Sequence, residues 1–133
     1  MKTSIRAIVV AAALAITVAC SSGPLELANI QTGRSLNQDR SIASITTLFK
    51  PNETIYVSVQ TKAGGKGTIS VRWKYGAQVI DEPSKPVSFD GPASTEFHMQ
   101  NSGGFPPGDY SVDVMIDGVQ VGTRAFKVDR YYE

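Results

Sequence analysis

Pro107-Gly108-Asp109-Tyr110-Ser111-Val112-Asp113-Val114-Met115-Ile116-Asp117-Gly118-Val119-Gln120-Val121 is the stretch that decides the fold. Tyr110, Val112, Val114 and Ile116 recur every second residue, the period of a strand that turns one face into a core. Asp117-Gly118 joins that strand to Val119 and Val121. Both central residues of a type I′ turn need positive φ, so Asp-Gly between alternating runs predicts a tight antiparallel hairpin. Phe126 and Val128 are in phase with each other but out of phase with Val119 and Val121, which predicts a β-bulge at Gly122-Thr123.

The same alternation recurs upstream. Residues 54–61 put Ile55, Val57 and Val59 on one face and Tyr56, Ser58 and Gln60 on the other. Residues 68–75 put Ile69, Val71, Trp73 and Tyr75 on a face opposite Ser70, Arg72 and Lys74. Shorter strands are predicted at 79–80, 87–89 and 95–99. Their separators are Asp81-Glu82-Pro83 and Asp90-Gly91-Pro92, residue types that favour turns. Leu25, Leu27 and Ile30 suggest an irregular first strand. Residues 34–40 read as a polar loop, 42–49 as a second part of the same edge, and 50–53 as a turn. Residues 63–67 read as a flexible connection, and 101–108 as a long tight loop.

About seven short strands in roughly a hundred residues suit two packed antiparallel sheets. Pro107-Gly108-Asp109-Tyr110 resembles a tyrosine corner, and Trp73 stands like the core tryptophan of Greek-key sandwiches. Residues 49–56, Arg72-Trp73-Lys74-Tyr75, Thr95-Glu96-Phe97-His98 and Ile116-Asp117-Gly118-Val119 extend the likeness. The chain resembles the immunoglobulin-like β-sandwich domains of exported bacterial lipoproteins of unassigned function. The resemblance implies an all-β, disulfide-free sandwich over residues 27–129, followed by a short tail at 130–133.

The N-terminus carries a different signal. Lys2 and Arg6 precede thirteen uncharged residues, 7–19, and then Cys20-Ser21-Ser22-Gly23-Pro24. As a helix thirteen residues rise about 20 Å, short of a hydrocarbon core of about 30 Å, so an export signal is predicted rather than a span. Ile16-Thr17-Val18-Ala19-Cys20 resembles the lipobox of bacterial lipoproteins, with Thr17 where that family favours a branched apolar residue. The resemblance implies a signal peptide at 1–19 and diacylglycerol and acyl chains on Cys20. A lipidated tether at 20–26 would hold the protein on its membrane, since two or more chains anchor stably. Ser21, where an aspartate would imply inner-membrane retention, implies the outer membrane, facing the periplasm. Thr17-Val18-Ala19 also suits an ordinary signal peptidase, which would leave Cys20 a free thiol.

The composition narrows the chemistry. The whole chain carries 13 basic and 12 acidic residues; without Lys2 and Arg6 it has 11 against 12. No clustered positive charge calls for a nucleic-acid partner. One cysteine allows no intramolecular disulfide or thiolate zinc cluster, and one histidine, His98, leaves little for a catalytic relay. The carboxylates Asp81, Glu82, Asp113 and Asp117 lack calcium-loop spacing. No cofactor, no metal and no catalysis are therefore expected. Tyr56, Phe105, Tyr131 and Tyr132 are the candidates for a contact surface, because aromatic rings supply large area at low entropy cost. The functional expectation is a lipid-anchored binding or structural module with an envelope protein or glycan as partner. The alternative is a protease inhibitor that presents residues 63–67 and 101–108 as loops.

Overall fold

The structure is a computed structural model that describes residues 23–131. Among these residues nine strands form: β1 (Leu27–Gly33), β2 (Leu48–Phe49), β3 (Ile55–Thr61), β4 (Gly65–Tyr75), β5 (Gln78–Asp81), β6 (Ser84–Phe89), β7 (Ala93–Met99), β8 (Gly108–Ile116) and β9 (Val119–Val128). One sheet has the order β1-β3-β7; the other runs β2-β9-β8-β4-β5, with β6 also on β4. The chain is an immunoglobulin-like β-sandwich. The two-residue β2 falls in the stretch read as a second part of the first edge. The strands expected at 79–80 and 87–89 are β5 and β6, which share the edge of β4, β5 against Trp73 to Tyr75 and β6 against Gly65 to Ser70.

The core lies where the inward faces meet. Ile55, Val57, Val59, Ile69, Val71, Trp73, Val112 and Val114 are completely buried, the residues that the alternation selected. Burying an aliphatic side chain of this size contributes about 1.5–3 kcal/mol. Phe126 gathers the aromatic centre. It stacks on Tyr110 at 5.4 Å and takes Phe49 and Trp73 edge-on at 5.6 and 6.0 Å, arrangements that ring quadrupoles favour.

The turn chemistry also holds. Asp117 and Gly118 have φ of 50° and 84°, as a type I′ hairpin requires, and β8 pairs with β9. The bulge comes one residue earlier than expected: Val114 faces Gly122 and Met115 faces Gln120, so Val121 is the extra residue. Gly122 has a separate role. A Cβ there would stand 2.9 Å from Ile30 Cδ1 and 3.0 Å from Leu27 Cδ2, so its lack of a side chain lets β1 pack over β9.

Four expectations need correction. Leu25 is only 5% exposed and belongs to the core, so the domain begins before residue 27. Residues 65–67 are strand rather than flexible connection, because β6 supplies partners for glycines that carry no side-chain signal. Residues 42–49 do not all stay on the first edge: Ile42 and Ile45 bridge back to Leu36 and Gly33, then Leu48 and Phe49 cross to pair parallel with β9. Ser58, on the outward parity of β3, is fully buried, because the 34–46 excursion folds over it and the Arg40 carbonyl accepts its hydroxyl at 2.8 Å. The signal peptide expected at 1–19 and Cys20 lie outside the described residues.

Candidate functional site

The sandwich has two unlike ends. At one, the Gly23 carbonyl lies 2.5 Å from where a Cβ on Gly65 would stand, so the N-terminal segment enters beside the start of β4. The other end lies ten residue steps along β4, about 33 Å away. There Tyr75 donates its phenol to the Pro107 carbonyl at 3.0 Å, and Tyr110 donates to the Pro106 carbonyl at 2.6 Å. The second bond is the tyrosine corner read from the sequence, and burial raises the Tyr110 phenol to about 12.

These bonds shape the distal end. Phe105 is 6% exposed, its amide donates to the Pro51 carbonyl at 2.8 Å, and its ring meets Tyr110 edge-on at 6.3 Å. Phe105 therefore closes the sandwich rather than standing exposed, and it meets solvent only as part of a concavity wall. Beside it lies a concavity of about 500 Å³ lined by Lys50, Asn52, Gly104, Phe105, Pro107 and Arg130. Tyr131 is 83% exposed, one residue beyond Arg130, with its amide held by the Asp129 carboxylate at 3.0 Å. Tyr132 lies outside the described residues, as does Cys20. Tyr56 is elsewhere, half-buried on the outer face of the smaller sheet, with its ring 5.4 Å from that of His98. Among the described residues, Tyr56 thus stands on a sheet face and Phe105 and Tyr131 at the distal end.

The open side of the sandwich holds a cluster that sequence reasoning missed. Lys85 of β6 reaches across to β7, where its ammonium donates to the Glu96 carbonyl at 2.5 Å and stands 3.3 Å from Glu96 Oε1. It also lies 4.9 Å from the Phe97 ring centre, within cation–π range. Glu96 Oε2 meets His98 Nδ1 at 3.0 Å. Burial pushes the Glu96 carboxyl up, but the His98 hydrogen bond and the Lys85 charge outweigh it and hold it below its usual value. Two concavities of about 310 and 210 Å³ follow this seam and share Asp81 and His98. The signal that could have found the cluster is Lys85-Pro86 in an alternating run, since lysine and proline mark edge strands.

The outer face of the larger sheet carries an ion network. Asp113 is 3% exposed, yet its carboxylate has Lys74 at 3.1 Å, Arg72 at 3.6 Å and the Thr123 hydroxyl at 2.9 Å. Arg72 also meets Glu82 at 3.2 Å. Asp117 accepts the Thr68 amide at 2.8 Å. These carboxylates thus hold neighbouring strands together. Among the described residues no group of three or more His, Cys, Asp or Glu is arranged to hold a metal.

Comparison with known proteins finds the fold alone. No family model matches, and no curated protein matches by sequence. Among solved structures the chain is similar to an immunoglobulin-like protein from Pseudomonas aeruginosa, with a TM-score of 0.55 and 14% identity over 82% of this chain and 99% of that one. It is also similar to part of the alkylpurine DNA glycosylase AlkC of Pseudomonas fluorescens, solved bound to DNA containing an abasic site analogue. That likeness has a TM-score of 0.53 and 14% identity, and covers 80% of this chain but 30% of the glycosylase.

Proposed function

We propose that the chain is a non-catalytic immunoglobulin-like module, tethered to a bacterial envelope membrane through lipid on Cys20, that binds a protein or glycan of the envelope. The observation that carries this reading is polarity. The tether enters at one end of the sandwich, while the Lys50, Phe105 and Arg130 concavity and the exposed Tyr131 stand at the other. A protein held by its N-terminus presents its far end to whatever it meets. Ile16 to Cys20 supply the anchoring half of the reading, and Ser21 favours the outer membrane.

The inhibitor alternative loses one of its two loops, because residues 65–67 are paired strand. The remaining segment, 101–107, is fastened by the Phe105 amide and by two phenols. Radiolabelled palmitate should enter the wild-type protein, and Cys20→Ala should abolish the label and release the protein from the membrane fraction. An unlabelled wild-type protein recovered in the soluble envelope fraction would overturn the reading.

A further inference from the structure

Among the described residues the outer edge of β7, like those of β5 and β6, has no strand partner. Constant-type immunoglobulin sandwiches carry a fourth strand beside the position that β7 occupies. Here β6, the strand before β7, lies on β4 in the opposite sheet, so the smaller sheet stops at β7. In an antiparallel ladder alternate residues turn both N–H and C=O to the same side. The Lys85 contact shows that the Glu96 carbonyl turns away from β3, and the alternation turns the His98 backbone the same way. Among the described residues no backbone hydrogen bond outside the ladders reaches Glu96 or His98.

The slot beside this edge has shape and charge. The two concavities lie in a row along it, one floored by Phe97 and Pro83, the other by Ile80, Met99 and Phe105. Between them stands Asp81. Lys85 and His98 both spend their charge or hydrogen bond on Glu96, whereas among the described residues Asp81 meets no cation and accepts only from the Glu82 amide.

We infer that the bare edge of β7 is a docking strand for an extended segment of a partner protein, one that carries a lysine or arginine opposite Asp81. Main-chain hydrogen bonds to Glu96 and His98 supply affinity, and side chains entering the two concavities supply register, the logic of strand addition. Lys85 is the guard of this edge: an incoming amide takes the Glu96 carbonyl in its place. The inference rests on the reading of the chain as a binding module and names the partner class as protein.

The test uses the full-length protein isolated from its producing cell and two capped seven-residue peptides of alternating threonine and valine, one with a central lysine and one with a central glutamate. Hydrogen exchange at the Glu96 and His98 amides is the readout. The lysine peptide should slow both by at least about tenfold, and the glutamate peptide should not. Asp81→Asn should weaken binding of the lysine peptide by about fivefold or more. Lys85→Met, which keeps the aliphatic stem over Phe97 but frees the carbonyl, should tighten it. No slowing with either peptide, equal slowing with both, or self-association of Lys85→Met without peptide protection would overturn the inference. None of these outcomes touches palmitate labelling, so failure here and failure of the anchoring are read separately.

Discussion

The phenol of Tyr110 donates to the carbonyl of Pro106, four residues earlier, and ties the start of β8 to the loop that leads into it. Tyr110→Phe keeps the ring that Phe126 stacks on and removes only that bond. The expected loss is about 0.5–1.5 kcal/mol, seen as a lower urea midpoint at unchanged slope. Tyr75→Phe, which loses the bond to Pro107, should cost no more, because Tyr75 is only half-buried.

The same phenol sets an alkaline limit. Its value in the folded chain is raised to about 12, against about 10 unfolded, by burial and by the neighbouring Tyr75. A raised value means that the neutral form is favoured on folding. The stability it contributes is therefore complete below pH 10 and falls away between pH 10 and 12, by up to about 2 kcal/mol. Unfolding followed across that window should show a shallower decline in Tyr110→Phe than in wild type. Parallel curves would place the alkaline loss on other groups.

Trp73 is completely buried, and its Nε1 finds no hydrogen-bond partner among the described residues. Trp73→Ala should cost about 3–5 kcal/mol, since it opens a cavity beneath Phe126. Trp73→Phe should cost clearly less than that. It keeps an aromatic ring against Phe126 and removes a buried donor that lacks an acceptor. A loss under 1 kcal/mol in Trp73→Ala would show that the ring does not occupy the core.

Legibility in the sequence followed the range of the interactions. Ile55, Val57, Val59 and the Tyr110 to Ile116 series could be read because a half-buried strand writes its burial into alternate residues. Asp117-Gly118 and Tyr110 could be read because each makes a local backbone demand. Gly65 to Gly67 could not, since their strand character comes from β6, about twenty residues later. Lys85-Pro86 marks an edge strand, but that Lys85 reaches Glu96 could not be read, because the contact depends on β6 joining β4 and leaving β7 exposed. Phe105 illustrates the third case: a phenylalanine between glycines and prolines reads equally as a ligand contact or as a closing residue. Only the Pro51 and Tyr110 contacts decide for the second.

Asp113 should behave as a buried counter-charge. Its carboxylate is 4% exposed, whereas the Lys74 and Arg72 side chains that face it are 29% and 34% exposed. Asp113→Ala leaves two cations side by side on one sheet face and leaves the Thr123 hydroxyl only its longer bond to the Val112 carbonyl at 3.3 Å. The expected cost is about 1–3 kcal/mol, below that of a fully buried pair because water still reaches both cations. Asp113→Asn keeps an oxygen for Thr123 and should cost less. A double substitution with Lys74→Met should then recover part of the loss, measured as a coupling term in a double-mutant cycle.

The hairpin at Asp117-Gly118 offers the sharpest separation of conformation from contact. Gly118 has φ of 84° with open space around the position of a Cβ, so Gly118→Ala meets no atom and pays only the left-handed backbone term of about 1 kcal/mol. Gly91 also has open space but no positive φ, and Gly91→Ala should stay within about 0.5 kcal/mol of wild type. Asp117 adds the contact. Its φ is 50° and its Oδ1 accepts the Thr68 amide at 2.8 Å, which ties the turn to β4. Asn tolerates the left-handed region and retains a side-chain oxygen, so Asp117→Asn should be mild, while Asp117→Ala loses both and should cost about 1–2 kcal/mol. Equal urea midpoints for Gly118→Ala and Gly91→Ala would mean that the turn does not hold the positive φ that the Asp-Gly pair demands.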